Sequence, residues 1–205
     1  MKLYDFPFSP NSRKVRAVAY DLGIPLDHVR VDLLEGGSRT PAFLALNPNG
    51  RVPVLEDGDL VLWESTAIIR YLAAGTALAP TERRAAAEVD RWIAWQLAHL
   101  HPAMRKVAFE RIVKPLTRQG PPDQAQIAAG TAEFDTLTAI LDRELAGKAY
   151  LAGALTVADF ALAAHYSLAE ACGLDVARHR EVDAWLARVC SRDSMKRALT
   201  DARAR

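Results

Sequence analysis

The stretch NPNGRVPVLEDGDLVLWEST, residues 47–66, contains the strongest structural pattern in the sequence. Its two apolar runs, Val52–Leu55 and Leu60–Trp63, flank a turn rich in Asp and Gly, which predicts a β-hairpin closed around Asp57-Gly58. Pro53 has no backbone N–H to give to a sheet, so it belongs at a strand start or a sheet edge. The first strand can therefore face a partner other than a neighbouring strand.

The same stretch ends in Glu64-Ser65-Thr66, just before the helical pattern of AIIRYLA. Small polar residues at a helix start leave backbone N–H groups free, and such groups bind anions. An exposed strand edge and a helix N-terminus, joined by one tight hairpin, together suit a small peptide. We therefore take this stretch as the candidate binding region.

Around the hairpin, strand and helix patterns alternate through residues 1–75. The predicted strands are Lys2–Phe6 and Leu26–Asp32, and the predicted helices are Ser12–Leu22, a short one with Pro41 at its first position, and Ala67–Ala73. With the hairpin, the order is β-α-β-α-β-β-α, which predicts one small α/β domain. The first βαβ unit implies a parallel strand pair, and the hairpin an antiparallel edge.

Beyond this region the pattern becomes helical. Turn-forming residues predict a linker at 76–81, and no strand pattern follows it, so residues 82–205 are predicted to form an all-α domain. The pattern predicts helices over Glu82–Glu110, with a kink or break at His101-Pro102, and over Gln124–Leu145. Between them, Pro115–Asp123 is predicted to be a loop.

One local signal stands out in the helical half, in the sequence LTVADF. Thr156 can cap a helix while Asp159 occupies the reciprocal position three residues later, as in a capping box. Leu155 and Phe160 are placed for the accompanying hydrophobic contact. We expect this motif to be structural rather than chemical.

Composition narrows the class of function. Lys and Arg together number 26 and Asp and Glu 25, so the net charge of +1 gives no reason to expect a nucleic acid or an acidic membrane as partner. We expect a cytoplasmic protein, because no apolar run reaches the roughly 18 residues of a membrane span.

Cys172 and Cys190 are expected to be buried free thiols rather than a disulfide or a metal site. His99 and His101 lie two apart on a predicted helix and point to different faces, so no metal site is expected.

Three segments resemble the glutathione transferase family when taken together in this order: FSPNSRKVR (8–16), FLALNPNGRVPVLEDGDLVLWESTAIIRYLA (43–73) and GALTVADFAL (153–162). The resemblance covers essentially the whole chain. It implies a thioredoxin-like N-terminal domain, an all-α C-terminal domain and a cis Val52-Pro53 bond. It also implies a cytoplasmic homodimer that uses glutathione as co-substrate, without a metal.

The resemblance implies a role for five residues in binding glutathione. Beside Pro53, the Val52 backbone would pair with the cysteinyl backbone of glutathione. Ser65 suits the γ-glutamyl carboxylate, Glu64 suits its ammonium group, and Arg51 suits the glycyl carboxylate. Thr66 stands where more familiar family members often carry a basic residue, so one ion pair to the γ-glutamyl end is missing.

Three residues in the turn after the first strand are candidates for activating the thiol. Ser9 precedes Arg13 by four residues, as the catalytic serine does in theta- and delta-like members, and is our first choice. Asn11 is similar to the amide of a bacterial nu-like Thr-Pro-Asn pattern, and Ser12 ranks third. Ser9-Pro10 also has the form of an ordinary helix N-cap and first position. No Cys lies in this turn, which argues against a mixed disulfide with the enzyme's own cysteine.

The hydrophobic electrophile is expected between the two domains, against a set of mostly aromatic residues: Phe6, Phe8, Trp92, Gln96 and Met104, with Trp95 and Phe109 beside them. The predicted activity is conjugation of the glutathione thiolate to small hydrophobic electrophiles. Two alternatives stay open at this point. One is a nu-like glutathione-dependent reductase of disulfides or peroxides, and the other is a non-catalytic glutathione-binding or interaction module.

Overall fold

A computed structural model describes residues 1–200, and their contacts divide the chain into two units. Among the described residues, unit 1 comprises Met1–Ala79 with residues 190–200, and unit 2 comprises Pro80–Val189. The division after Ala79 falls inside the predicted linker 76–81. The division near Cys190 differs from the sequence-based boundaries, which place everything from 82 to 205 in the helical domain.

Unit 1 contains a four-stranded sheet with the strand order β2-β1-β3-β4. The strands are β1 (Lys2–Asp5), β2 (Asp27–Arg30), β3 (Val54–Asp57) and β4 (Leu60–Trp63). The pair β1 and β2 is parallel, whereas β1 with β3 and β3 with β4 are antiparallel. This mixed sheet confirms the predicted parallel pair and antiparallel hairpin.

The described residues contain ten α-helices, which cover most of unit 2 and flank the sheet in unit 1. They are α1 (Pro10–Asp21), α2 (Pro41–Leu46), α3 (Ser65–Ala73), α4 (Arg83–Trp95), α5 (His101–Ala108), α6 (Lys114–Thr117), α7 (Gln124–Leu145), α8 (Val157–Tyr166), α9 (Arg180–Cys190) and α10 (Asp193–Thr200). A thioredoxin-like domain combined with a helical domain is therefore the observed fold class. Within residues 1–200, no helix is long and apolar enough to cross a membrane.

Unit 1 gains its last helix from the far end of the chain. Helix α10 packs along α1, and Met195 and Ala198 of α10 are fully buried. The buried Arg16 of α1 adds a polar link, because its guanidinium donates to the backbone oxygen of Ala198 at 3.2 Å. These long-range contacts explain why the C-terminal stretch belongs to unit 1.

The predicted hairpin is present, but its turn and first strand are each shifted. Asp57 pairs with Leu60, so the two turn residues are Gly58 and Asp59 rather than Asp57 and Gly58. Gly58 has φ +61°, which a two-residue hairpin turn of the II′ kind requires at its first position and which glycine adopts without steric cost. The strand begins at Val54, directly after Pro53, because proline has no N–H for the ladder.

Unit 2 begins with helical backbone that runs without a break from Arg83 to Thr117. The break expected at His101-Pro102 is absent, because a wider π-helical segment, Gln96–Leu100, directly precedes it. Within that segment the His101 N–H bonds five residues back to the Gln96 oxygen, which accommodates a proline in the following turn. The predicted loop at Pro115 starts only at Arg118, because a second π-helical segment, Phe109–Val113, precedes this proline as the first precedes Pro102.

The predicted capping box is present at the start of α8 and extends into a larger network. The Thr156 N–H donates to Asp159 Oδ2 at 2.8 Å. The buried Asp159 carboxylate also accepts hydrogen bonds from the Leu151 N–H at 3.0 Å and from Trp185 Nε1 at 2.9 Å. Burial raises the pKa of Asp159 despite these donors. The motif therefore ties a loop and two helices together inside unit 2.

Candidate functional site

The turn between β1 and α1 presents Ser9 as the N-cap of α1. Its hydroxyl oxygen accepts a hydrogen bond from the Ser12 N–H at 3.3 Å, and Pro10 occupies the first helical position. Ser9 is half-buried, and no acceptor for its hydroxyl proton occurs among residues 1–200. A hydroxyl has lone pairs as well as a proton, so helix capping and donation to a ligand do not exclude each other.

Asn11 lies next to Ser9 on the first turn of α1 and contacts the start of α3. Its Oδ1 accepts a hydrogen bond from the Ser65 hydroxyl at 3.3 Å. The amide nitrogen keeps two donors with no acceptor in the part of the chain that the structure describes. The structure thus brings together a candidate for thiol activation and a candidate for peptide binding that are 54 residues apart.

Ser12 has a different environment from the other two candidates of this turn. It is fully buried, and its hydroxyl oxygen accepts a hydrogen bond from the Phe6 N–H at 3.4 Å. A hydroxyl in that position faces the backbone of the turn. Its surroundings favour a structural role, and its assignment as third catalytic candidate stays a prediction.

The start of α3 combines free donors with an unusual backbone conformation. The first intrahelical bond runs from the Ile68 N–H to the Glu64 oxygen, so the N–H groups of the three residues between them have no intrahelical acceptor. Glu64 precedes the helix with φ 69° and ψ 105°, and its side chain is exposed. Such a backbone costs on the order of 1–3 kcal/mol in a non-glycine residue and is typical of functional sites.

The residues before β3 complete this edge of unit 1. The Val52-Pro53 bond is cis, which confirms the expectation from the resemblance. Pairing of β3 with β1 starts at Val54, so Val52 lies outside the strand register, while its side chain packs in a cluster with Phe6 and Phe43. Arg51 is exposed, and its backbone oxygen accepts a hydrogen bond from Asn47 Nδ2 at 2.7 Å.

Lys14 is a residue of this region that the sequence did not single out. It is fully buried in α1, and its Nζ donates to the Thr66 hydroxyl oxygen at 3.3 Å. Burial lowers the pKa of this amine to about 7, and the nearby Glu64 carboxylate opposes that shift in part. The sequence spacing does point to Lys14, because Asn11 and Lys14 lie three residues apart and therefore share one face of α1.

The predicted electrophile residues fall into two groups, one in each unit. In unit 1, the Phe8 ring is 54% exposed and contacts the buried Phe6 ring at 5.6 Å between centroids. In unit 2, Trp92, Gln96 and Met104 are all buried. Burial favours packing roles for these three, so Phe8 is the best supported member of the set.

Gln96 belongs to a buried polar cluster in unit 2. Its Nε2 lies 3.3 Å from His165 Nε2, and His101 Nδ1 lies 3.0 Å from the same atom. A carbonyl oxygen only accepts, so His165 Nδ1 donates to the Ala161 oxygen at 3.0 Å and His165 Nε2 faces the two neighbours. No group of three or more His, Cys, Asp or Glu suited to a metal ion occurs in residues 1–200.

Comparison with known proteins adds independent information. Two family models match the chain: "Glutathione S-transferase, N-terminal domain" over residues 3–79 and "Glutathione S-transferase, C-terminal domain" over residues 100–193. Glutathione S-transferase 3 of Zea mays is 39% identical over 165 residues, which cover 78% of this chain and 73% of the relative. GstB of Escherichia coli K12 is 37% identical over 164 residues, covering 76% of each protein.

Solved structures are also similar to this fold. Glutathione transferase F7 of Populus trichocarpa superposes with a TM-score of 0.90 at 31% identity, covering 98% of both chains. A theta class glutathione S-transferase of Xanthomonas axonopodis pv. citri, with glutathione bound, has a TM-score of 0.89 at 33% identity, covering 97% of this chain and 96% of that one.

Proposed function

This chain belongs to the glutathione S-transferase family, and from that premise we propose that it conjugates the glutathione thiolate to small hydrophobic electrophiles, with Ser9 stabilising the thiolate. One observation carries the assignment to Ser9. Its hydroxyl caps α1 through a lone pair and keeps its proton available for a bound sulfur. Ser9 is also more exposed than Ser12, so a ligand reaches it more readily.

One hydrogen bond from a hydroxyl is strong enough to lower the pKa of the glutathione thiol as required. A free thiol has a pKa near 8.5, and bringing it close to 7 takes roughly 2 kcal/mol. A hydrogen bond to a charged group contributes about 1.5–3 kcal/mol, which suffices for that shift. The N-terminus of α1 adds about 0.3–1 kcal/mol for an anion beside it.

Glutathione is proposed to bind along the edge from Arg51 to Ser65. The Val52 backbone, outside the strand register, is free to pair with the cysteinyl unit next to Pro53. The free N–H groups of α3 and the Ser65 hydroxyl suit the γ-glutamyl carboxylate, and the exposed Glu64 suits its ammonium group. The exposed Arg51 suits the glycyl carboxylate.

For the electrophile we propose an apolar site at the exposed Phe8 of unit 1, beside Phe6, while the assignment of Trp92, Gln96 and Met104 of unit 2 stays a prediction. The remaining partner is proposed to be a second copy of this chain, in the cytoplasm. The edge strand β4 supports a dimer, because Leu60, Val61 and Trp63 are apolar and 36–40% exposed on it. Light scattering coupled to size exclusion tests this, and a mass of one chain at micromolar concentration would contradict it.

A second candidate function rests on Asn11. Because Ser65 holds its Oδ1, the Asn11 amide is oriented and retains free donors, which suits a thiolate as well. In that case bound glutathione would reduce disulfides or peroxides, with the thiolate held by Asn11. Comparing turnover on a chlorodinitrobenzene with turnover on a glutathione mixed disulfide separates the two candidates.

Substitutions at Ser9 and Asn11 test the assignment of the thiolate donor. Ser9→Gly removes the hydroxyl while keeping a tolerated N-cap, so it separates proton donation from helix capping. We expect it to raise the pKa of bound glutathione, followed by thiolate absorbance in the ultraviolet, by about one to two units. Ser9→Thr retains the hydroxyl and serves as the matched control.

The results have distinct consequences. Conjugation that falls on the order of tenfold or more in kcat/KM in Ser9→Gly but survives in Ser9→Thr supports the hydroxyl as donor. Full conjugation in Ser9→Gly, together with its loss in Asn11→Ala, would transfer the role to Asn11. A parent protein that binds glutathione without a thiolate band and turns over neither substrate would overturn both functions.

A further inference from the structure

We propose that Lys14 is a positioning residue of the γ-glutamyl subsite, where its buried ammonium group, held by Thr66, stabilises the α-carboxylate of the γ-glutamyl unit. The proposal deepens the proposed function and rests on glutathione binding at Ser65 and Glu64. It assigns a source of positive charge to a subsite in which Thr66 supplies none. Lys14 would act through Thr66 and through its charge, without touching the reacting sulfur.

The position of Lys14 is the first support. Its side chain is fully buried between α1 and the first turn of α3, and its Nζ lies 3.3 Å from the hydroxyl oxygen of Thr66. Asn11, three residues earlier on the same face of α1, bonds to Ser65 at 3.3 Å. Two side chains of α1 thus contact consecutive residues of α3, at the end where its free N–H groups lie.

The cost of burying this amine is the second support. Burying a lysine next to a neutral hydroxyl is unfavourable, since a buried ammonium is usually paired with a carboxylate or loses its proton. The Glu64 carboxylate favours the charged form of Lys14, but Glu64 is exposed and the pKa of Lys14 stays lowered by burial. A ligand carboxylate at the start of α3 would add a second anion to the exposed Glu64 carboxylate, which alone does not offset the burial of the amine.

Other charged groups around α1 are already engaged. Arg70 lies in the last turn of α3, away from the subsite. The other cations on α1 and on α10, which packs against α1, each have a neighbouring group. On α1, Arg13 lies near the thiol of Cys190, and Arg16 pairs with the carboxylate of Asp5. On α10, Lys196 donates to the carboxylate of Asp193, and Arg197 lies over the ring of Tyr20. Among the described cations of α1, α3 and α10, Lys14 is therefore the one that contacts the first turn of α3.

Lys14→Met tests the proposal, because methionine has a similar length and suits a buried site. We expect KM for glutathione to rise on the order of tenfold, since the positive charge proposed to stabilise the carboxylate is lost, while kcat at saturating glutathione changes less than about twofold. Thr66→Val removes the hydroxyl that holds the ammonium, and we expect a smaller rise in KM. A thermal melt establishes that both variants are folded.

A ligand without the α-carboxylate isolates the charge effect. Titration calorimetry compares glutathione with γ-aminobutyryl-cysteinyl-glycine, which lacks only that carboxylate. In the parent protein we expect a clear preference for glutathione, and in Lys14→Met that preference should shrink about tenfold. If Lys14→Met weakens both ligands equally, or neither, Lys14 has no special relation to the carboxylate and the proposal is overturned.

Two further variants test whether the γ-glutamyl unit binds at Ser65 and Glu64 at all. Ser65→Ala and Glu64→Gln should both weaken glutathione if the peptide binds as proposed. If neither does, the proposed binding geometry falls, and the Lys14 proposal falls with it. If both do while Lys14→Met retains the parent affinity, only the Lys14 proposal falls.

Discussion

At the scale of single residues, the burial of Lys14 makes the free energy of unfolding depend on pH. Its pKa is about 7 in the folded protein against an ordinary value of 10.5, so between those values the unfolded chain holds a proton that the folded chain has lost. The unfolded state then binds more protons, and the contribution of Lys14 to the free energy of unfolding rises with pH across this window. Below the window the buried charge destabilises the fold.

This linkage gives a prediction for the protein without ligand. We expect Lys14→Met to melt at a higher temperature than the parent at about pH 6.5, because it removes the buried charge, and this advantage to shrink toward about pH 9.5. Parallel thermal unfolding across the range measures the difference, in which other titrating groups cancel. A difference that stays constant with pH would contradict the lowered pKa.

Asn11 and Ser65 show how one hydrogen bond combines two predicted roles. The sequence separates them by 54 residues and assigns one to the thiol and one to the peptide. Their contact means that a change at Ser65 also alters the orientation of the Asn11 amide. Kinetic effects at the two positions are therefore expected to be non-additive.

At the scale of secondary structure, the cap of α8 is expected to be a major determinant of stability. Asp159→Ala leaves the Leu151 N–H and Trp185 Nε1 buried without an acceptor and removes the reciprocal bond to Thr156. Each buried orphan costs about 1–3 kcal/mol, so we expect a total loss of about 3–5 kcal/mol. Urea unfolding measures it.

The control for this prediction is activity. Because Asp159 lies within unit 2 and is fully buried, the specific activity of the folded fraction at low temperature should match the parent. A variant that melts like the parent, or one that is stable but inactive, would show that the carboxylate has a role other than capping.

Helix packing provides a second test at this scale, at Gly130 in α7. A Cβ placed there would lie 2.8 Å from Val107 Cγ2 and 3.0 Å from the Ala103 oxygen, both on α5. Alanine is favoured over glycine in a helix by about 1 kcal/mol, but the overlap with α5 outweighs it, so we expect Gly130→Ala to destabilise by about 1–3 kcal/mol.

An exposed position of the same helix provides the matched control. Thr136 of α7 is exposed, and Thr136→Ala should leave the stability unchanged or raise it slightly through helix propensity alone. Denaturant unfolding of the two variants side by side distinguishes packing from propensity. Stabilisation by Gly130→Ala would mean that α5 and α7 can separate without cost.

At the scale of the whole molecule, Arg16 joins parts of the chain that are far apart in sequence. Its buried guanidinium pairs with Asp5 Oδ2 at 2.6 Å and donates to the Pro7 oxygen at 2.8 Å and to the Ala198 oxygen. Burial alone would raise the pKa of Asp5, but His28 and Arg16 outweigh it and hold that pKa below its usual value. The Arg16 guanidinium thus bonds to strand β1, to the turn that contains Ser9 and to α10.

Breaking this link should affect the whole of unit 1. Arg16→Met leaves the Asp5 charge buried with less compensation, and we expect a loss of about 3–5 kcal/mol in the free energy of unfolding. In the double variant with Asp5→Asn, the loss should be smaller than the sum of the two single losses, because the charge left behind is gone. Strict additivity in a double-mutant cycle would contradict the pairing.

Much of the fold followed from local patterns. The hairpin, the cis Val52-Pro53 bond expected from the family resemblance, the capping box and the bounds of α7 all depend on residues close together in the chain. The hairpin turn was misplaced by one residue, because Asp57-Gly58 and Gly58-Asp59 both fit a two-residue loop. Only the cross-strand register, with Asp57 opposite Leu60, selects one of them.

By itself, the sequence determined the order of helices and strands in unit 1, since caps, periodicity and turn chemistry are properties of short segments. The family and the candidate residues around Ser9 and Ser65 followed from the resemblance of three segments to glutathione transferases. Tertiary structure alone decided that Lys14 is buried against Thr66, that Asn11 contacts Ser65, and that α10 belongs with α1. The reason is physical: burial, and with it the charge state of an amine, is set by atoms that meet only after the chain has folded.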